Sequence, residues 1–316
     1  MNSESPLPEG TSELVWLDGE WRPWSEGKIH VRTGAHMAVA GIFEGIRAYW
    51  SEERRELFVY RLSEHLLRLR ESCRLLLMRT EYSVDDLKEI VTELLRRNNV
   101  RQDAYVRPVM FPSLTSSGFL SAIECPTSLF VECWPAPSAR GRMKSVSACT
   151  SSWRRISNLD MVPRAKTFAN YAQARLAAIE SGVAGYDLPL LLNNDGYVTE
   201  GVGAGVAMVC SGTLVLPPLS AGALPSITRM SLTEIAASRL GLRIDERLFD
   251  RFECYLADEL FFFGTGWEIL AIRRLDGHHI GVDTSSSVVS ELSRIYYESA
   301  VGEHADLLKW LTPTYA

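Results

Sequence analysis

A chain of 316 residues is long for one domain and comfortable for two. Its 46% hydrophobic and 23% charged residues supply sizeable cores and exclude a disordered chain, while a net charge of −6 excludes the basic field of a usual nucleic-acid binder. The N-terminal MNSESPLPEGTSE has neither a basic nor an apolar segment, and no apolar run approaches the ~20 residues of a membrane helix, so a cytoplasmic protein without membrane contact is expected.

Residues 1–13 read as a loose tail. Leu14–Leu17 and Trp21–Trp24 flank Asp18-Gly19, a favoured hairpin turn. Apolar runs at Gly41–Trp50 and Glu56–Tyr60 surround the charged turn Ser51–Arg55. Leu66, Leu69, Cys73, Leu76 and Leu77 fall at helical spacing within Leu62–Met78, with Ser63 placed as its cap. Ser83–Asn98 is a second amphipathic helix, opening on S-V-D-D and closing on Arg96 and Arg97, as the helix dipole favours. Strands are expected at Ala104–Phe111 and Thr127–Trp134. The aperiodic P-A-P-S-A-R-G-R-M of Pro135–Met143 is the best linker. Beyond it the pattern gives strands at Lys144–Ser151, Leu188–Asn193, Tyr197–Glu200, Ala207–Leu216, Arg243–Arg247 and Glu259–Phe263, with helices at Phe168–Ser181 and Thr228–Leu240. Two α/β or α+β domains follow: a small one over 14–134, a linker over 135–143 and a larger one over 144–316.

Few residues stand out chemically. Cys73, Cys125, Cys133, Cys149, Cys210 and Cys254 are scattered without a CxxC or a Cys/His cluster, so neither a disulfide framework nor a metal site is expected. Lys166, in V-P-R-A-K-T-F-A-N-Y, sits at a turn before a helix, where a lysine is either a reactive amine or an ordinary surface residue. Glu200 ends a strand before Gly201, Gly203 and Gly205; it is either a solvated strand-end carboxylate or a partner for a protonated ring nitrogen. Thr228 opens a helix, as an N-cap or as part of an anion site. The G-T-G of Gly264–Gly266 is either a tight turn or an anion nest.

The set is more specific than its members. F-E-G-I-R (43–47), A-Y-V-R-P (104–108), P-R-A-K…N-Y (163–171), G-Y-V-T-E-G (196–201), L-P-S-I-T-R (224–229), A-D-E-L-F (257–261) and F-G-T-G (263–266) occur in that order. Together they resemble the branched-chain aminotransferases and their fold-type IV relatives over residues 14–300. The resemblance implies a small N-terminal α/β sandwich, a larger barrel-like α/β domain, pyridoxal 5′-phosphate (PLP) as cofactor, and a homodimer or larger homo-oligomer. It makes Lys166 the lysine that carries the cofactor and Tyr171 a ligand of its phenolic oxygen. Glu200 would hold the pyridine nitrogen, and Arg68, Ile227, Thr228 and Thr265 the phosphate. Arg107, Tyr105, Phe43, Ala38, Gly266 and Trp267 fall at substrate-binding positions.

Departures from the family pattern concern the substrate. The usual Y-G-T before F-E-G is Ala38-Val39-Ala40, aromatic positions align with Ala136 and Ala139, and G-E-N-x-F is replaced by Gly203-Ala204-Gly205-Val206-Ala207. Trp267 instead adds bulk where a small residue is usual. Lost aromatics open volume that must be filled, so an enlarged pocket or a refolded loop is expected. The implied activity is transfer of an amino group from an amino acid to a 2-oxo acid by a ping-pong mechanism. A PLP-dependent lyase or specialised biosynthetic enzyme, and a non-catalytic relative, are the alternatives.

Overall fold

The computed structural model describes residues 12–113, 125–281 and 287–316. Most of the expected tail, residues 1–11, lies outside them. The chain divides into two units, 1–138 with 300–316, and 139–299.

In the first unit, β1 (Leu14–Leu17) and β2 (Glu20–Pro23) form the hairpin around Asp18 and Gly19, both at positive φ as a tight two-residue turn requires. A short α1 (Gly34–Met37) leads to β3 (Ile42–Phe43), β4 (Ile46–Ser51) and β5 (Glu56–Tyr60). Helices α2 (Leu62–Leu75) and α3 (Val84–Arg97) follow, then β6 (Ala104–Pro112) and β7 (Thr127–Pro135). Ser83 and Asp86 close a reciprocal capping box on α3. Ser63 does not cap α2: the N-cap is Arg61, at φ 47, with no side-chain capping bond. Its guanidinium instead lies 2.8 Å from Glu64 Oε1 and 3.8 Å from the centre of the Trp310 ring.

Alternation along the strands separates two faces. Ala104, Val106, Leu129, Val131 and Cys133 turn toward Leu66, Leu69, Leu87, Leu94 and Leu95 of the helices, forming one buried cluster. Tyr105 and Arg107, one residue out of phase, belong to the other face.

The second unit contains β8 (Lys144–Arg154), α4 (Tyr171–Val183), β9 (Leu188–Leu192), β10 (Val198–Gly201), β11 (Ala204–Cys210) and β12 (Thr213–Leu216). It continues with α5 (Ile227–Leu240), β13 (Arg243–Glu246), α6 (Arg251–Tyr255), β14 (Glu259–Gly264), β15 (Glu268–Leu275), β16 (His278–His279) and α7 (Val288–Ala300). The stretch Ala207–Leu216 contains most of β11 and all of β12, paired antiparallel and reversed at Ser211-Gly212, both at positive φ. Since β10 pairs with both β9 and β11, the path β10-β9-β8-β15-β14-β11 closes on itself as a barrel-like sheet. Leu190, Val198, Val206, Met208, Phe262 and Ile272 share its buried core.

The expected extent of the large domain needs correction at its C-terminal end. Strand β17 (Leu311–Pro313) pairs antiparallel with β5, so residues 300–316 belong to the first unit.

Candidate active site

Pro163 and the small residue Ala165 precede Lys166 in a turn, and a 3-10 helix over Phe168–Asn170 runs into α4. The Asn170 side chain, buried to 2% exposure, donates from Nδ2 to the carbonyls of Val162 and Ala165 at 2.9 and 2.8 Å. Those bonds pin the loop that carries the lysine. Lys166 Nζ, on a half-buried side chain, donates to the Tyr171 hydroxyl at 2.6 Å. The amine therefore stands in a fixed place with a phenol beside it.

Glu200 is the penultimate residue of β10 and is buried. Its Oε1 lies 3.0 Å from Arg155 Nε, and its Oε2 accepts from the Leu224 backbone N–H at 2.9 Å. The solvated strand-end reading of Glu200 is thus excluded. Arg155 was not singled out in the sequence; its signal there is only S-S-W-R-R, a charged pair just past a strand.

Helix α5 begins at Ile227, and its N-cap is Ser226, whose hydroxyl accepts from Arg229 N–H. Thr228 is therefore not the cap. Ile227 and Thr228 occupy the first turn, both buried, where unpaired N–H groups and the helix dipole favour an anion. Gly264–Trp267 forms the turn between β14 and β15, closed by Trp267 N–H donating to the Gly264 carbonyl at 3.1 Å. Thr265 is half-buried there, and Gly266 and Trp267 are exposed.

The remaining candidates belong to the first unit. Arg68 Nε and Nη2 donate to the two carboxylate oxygens of Glu44 at 2.6 and 2.8 Å, and His65 Nδ1 lies 2.7 Å from Glu44 Oε2. Burial alone would raise the Glu44 carboxyl, but Arg68 and His65 outweigh it and hold the group well below the usual carboxylate range. Glu44 and His65 also escaped notice in the sequence, although Glu44 is the acid of F-E-G.

On the sheet face opposite the helices, Tyr105 stacks on its cross-strand partner Trp134 at 4.9 Å. The Arg107 guanidinium carbon lies 4.9 Å from the Trp134 ring centre and 5.7 Å from that of Phe43. Arg107 Nε is buried without a hydrogen-bond partner. Glu132 faces Arg107 in the strand register; burial pushes its carboxyl up against the pull of that arginine. Ala38 is exposed just after α1, and Val39 is held at φ 51, rare for a β-branched residue.

The lost side chains do not all leave space. A Cβ on Gly205 would lie 2.5 Å from Phe263 Cε2. Phe263 is the cross-strand partner of Gly205, so its ring occupies the room there.

Comparison with known proteins agrees with these elements. The family model for amino-transferase class IV matches residues 41–275. The chain is 32% identical to a probable branched-chain-amino-acid aminotransferase of Aquifex aeolicus, over 98% of this chain and 99% of that protein. It is 31% identical to the branched-chain-amino-acid aminotransferase of Escherichia coli K12, over 95% and 97% of the two chains. Among solved structures, the PLP form of the branched-chain amino acid aminotransferase from Thermobaculum terrenum superimposes with a TM-score of 0.92 at 35% identity, covering 98% of this chain and all of that one. The branched-chain aminotransferase from Thermoproteus uzoniensis, solved with norvaline, gives a TM-score of 0.90 at 34% identity, covering 96% of this chain and all of that one. A buried carboxylate, a pinned lysine–tyrosine pair and a helix N-terminus with Ile227 and Thr228 in its first turn thus lie on a fold shared along almost its whole length, and the chain belongs to the class IV aminotransferases, branched-chain-like in sequence and structure.

Proposed function

We propose that the chain is a PLP-dependent aminotransferase that moves an amino group between an amino acid and a 2-oxo acid in two alternating half-reactions. The observation that carries this reading is the Lys166 amine held against the Tyr171 hydroxyl, in the unit that also buries Glu200. These residues fit the cofactor chemically. A buried carboxylate with two donors already in place has lone pairs left for a ring N–H. The first turn of α5 suits a phosphate, with Thr265 of the same unit as a further donor.

Bound PLP supplies an electron sink for the pair left at the substrate Cα when its proton departs. Lys166 takes that proton and returns it, acting as base and then as acid. Tyr171 donates to a phenolic oxygen and keeps the amine oriented. Glu200 holds the ring nitrogen in its protonated form. Arg107, walled by Phe43 and Trp134, takes a substrate carboxylate as a planar fork.

Small residues at Ala38 and Ala40 in the first unit, and the added bulk of Trp267 in the second, each depart from the branched-chain pattern and support a substrate preference different from that of branched-chain enzymes. The filling of Gly205 by Phe263 favours a difference that lies in the loops rather than in the sheet. The active assembly is a homodimer or larger homo-oligomer.

The test is the visible spectrum of the purified protein with PLP, titrated with a panel of amino acids. A band that requires Lys166, and that one class of donor converts, is the expected result. No Lys166-dependent band would overturn the cofactor, and a band that no donor converts would overturn transamination.

A further inference from the structure

We propose that Arg155 is a positioning residue that fixes both ends of the cofactor seat in the second unit. It does so through Glu200 and through the segment leading into α5. This inference rests on the PLP reading above.

Arg155 immediately follows β8, and its backbone N–H is anchored on the Leu192 carbonyl at 2.8 Å. Its side chain is 6% exposed, so its charge is met by protein groups rather than water. Besides facing Glu200 Oε1 at 3.0 Å, its Nε donates to the Gly222 carbonyl at 3.3 Å. Gly222 sits at φ 101, where a side chain would strain the backbone. Two residues later, the Leu224 N–H donates to the other oxygen of Glu200. Residues 222–224 are thus tied at one end to the arginine and at the other to the carboxylate that the arginine faces. The same segment runs through Ser226 into Ile227 and Thr228.

One guanidinium therefore sets the angle of the acid that meets a ring nitrogen and the approach of the helix that meets a phosphate. A buried ion pair adds little net stability compared with apolar packing, because desolvation offsets its attraction. Its consequence here is orientation. A lysine keeps the charge but has no Nε–H to place between the Glu200 carboxylate and the Gly222 carbonyl, so it reproduces the role only in part.

The test uses Arg155→Met and Arg155→Lys, each made in the parent and in Glu200→Gln, with circular dichroism confirming the fold. Two readouts are taken: the PLP dissociation constant from the visible band, and kcat with KM for the amino donor. In the parent, Arg155→Met is expected to weaken PLP binding and lower kcat by about tenfold or more each, with KM changed less than about threefold. Arg155→Lys recovers part of both losses. In the Glu200→Gln background, Arg155→Met adds less than about threefold, because coupled residues do not act independently. Losses that multiply across the two backgrounds, or parental PLP affinity and kcat in Arg155→Met, would overturn the proposal. Should Arg155→Met not fold, Arg155→Lys carries the same comparison: parental PLP affinity and kcat in that variant would overturn it. Failure of the PLP reading is distinct, since the parent itself would then show no Lys166-dependent band.

Discussion

Replacing Glu44 by glutamine removes one charge from the most enclosed ion pair described above. The Glu44 side chain is 0% exposed and that of Arg68 is 7% exposed. Glutamine keeps one acceptor but turns an NH2 toward donors on Arg68 or His65, so at least one short bond becomes a donor–donor contact. Leaving a buried guanidinium uncompensated costs about 3–5 kcal/mol, a large fraction of the ~5–15 kcal/mol that holds a typical domain folded. The control is Glu20→Gln, whose partner Arg22 is 39% exposed and which is itself 67% exposed; exposed pairs are worth about 1 kcal/mol or less.

Urea unfolding of the two variants beside the parent gives the comparison, and a Glu44→Gln loss no larger than that of Glu20→Gln would refute the reasoning. The deficit also has a signed pH dependence. Glu44 is held below its unfolded value in the folded chain, so its stabilisation is fully present above a pH of about 4.3 and declines as pH falls below that. The gap between parent and variant should therefore narrow in acid.

Two further outcomes follow from backbone and packing. Gly205→Ala places a methyl group against the Phe263 ring and should destabilise by about 1–3 kcal/mol, read as a lowered unfolding midpoint; an unchanged midpoint would show that the ring yields freely. Val39→Gly releases a β-branched residue from φ 51. It should stabilise by up to about 1 kcal/mol after the entropic cost of glycine, and a lower thermal midpoint would contradict the strain.

Local chemistry was the legible part of this sequence. The Asp18-Gly19 hairpin and the Ser83–Asp86 capping box are written within a few residues, and both form as read. The Lys166-to-Tyr171 segment is equally local, and its internal bonds span five residues or eight. What the sequence hid depends on tertiary approach. Arg155 meets Glu200 only because β8 and β10 both flank β9, and nothing in S-S-W-R-R announces a carboxylate elsewhere in the chain. Glu44 and His65 were passed over because one sits between strands and the other on a helix that brings it there. Ser63 looked like a cap by residue type, yet backbone geometry gave that position to Arg61. Strand β17 spans three residues, too few for any period to appear.

The return of the last residues to the first unit bears on how the molecule is made. Thr314 and Tyr315 donate their backbone N–H groups to Glu56, 258 and 259 residues earlier. During synthesis from the N-terminus, residues 139–299 emerge as one uninterrupted block, able to condense while the earlier sheet still has the edge of β5 uncovered. The second block is in effect an insertion within the first, and the strand that covers the β5 edge is made only after the whole of residues 139–299. An open edge invites pairing with another nascent chain. The vulnerable interval therefore runs from the making of β5 to the arrival of β17, across the whole length of the intervening block.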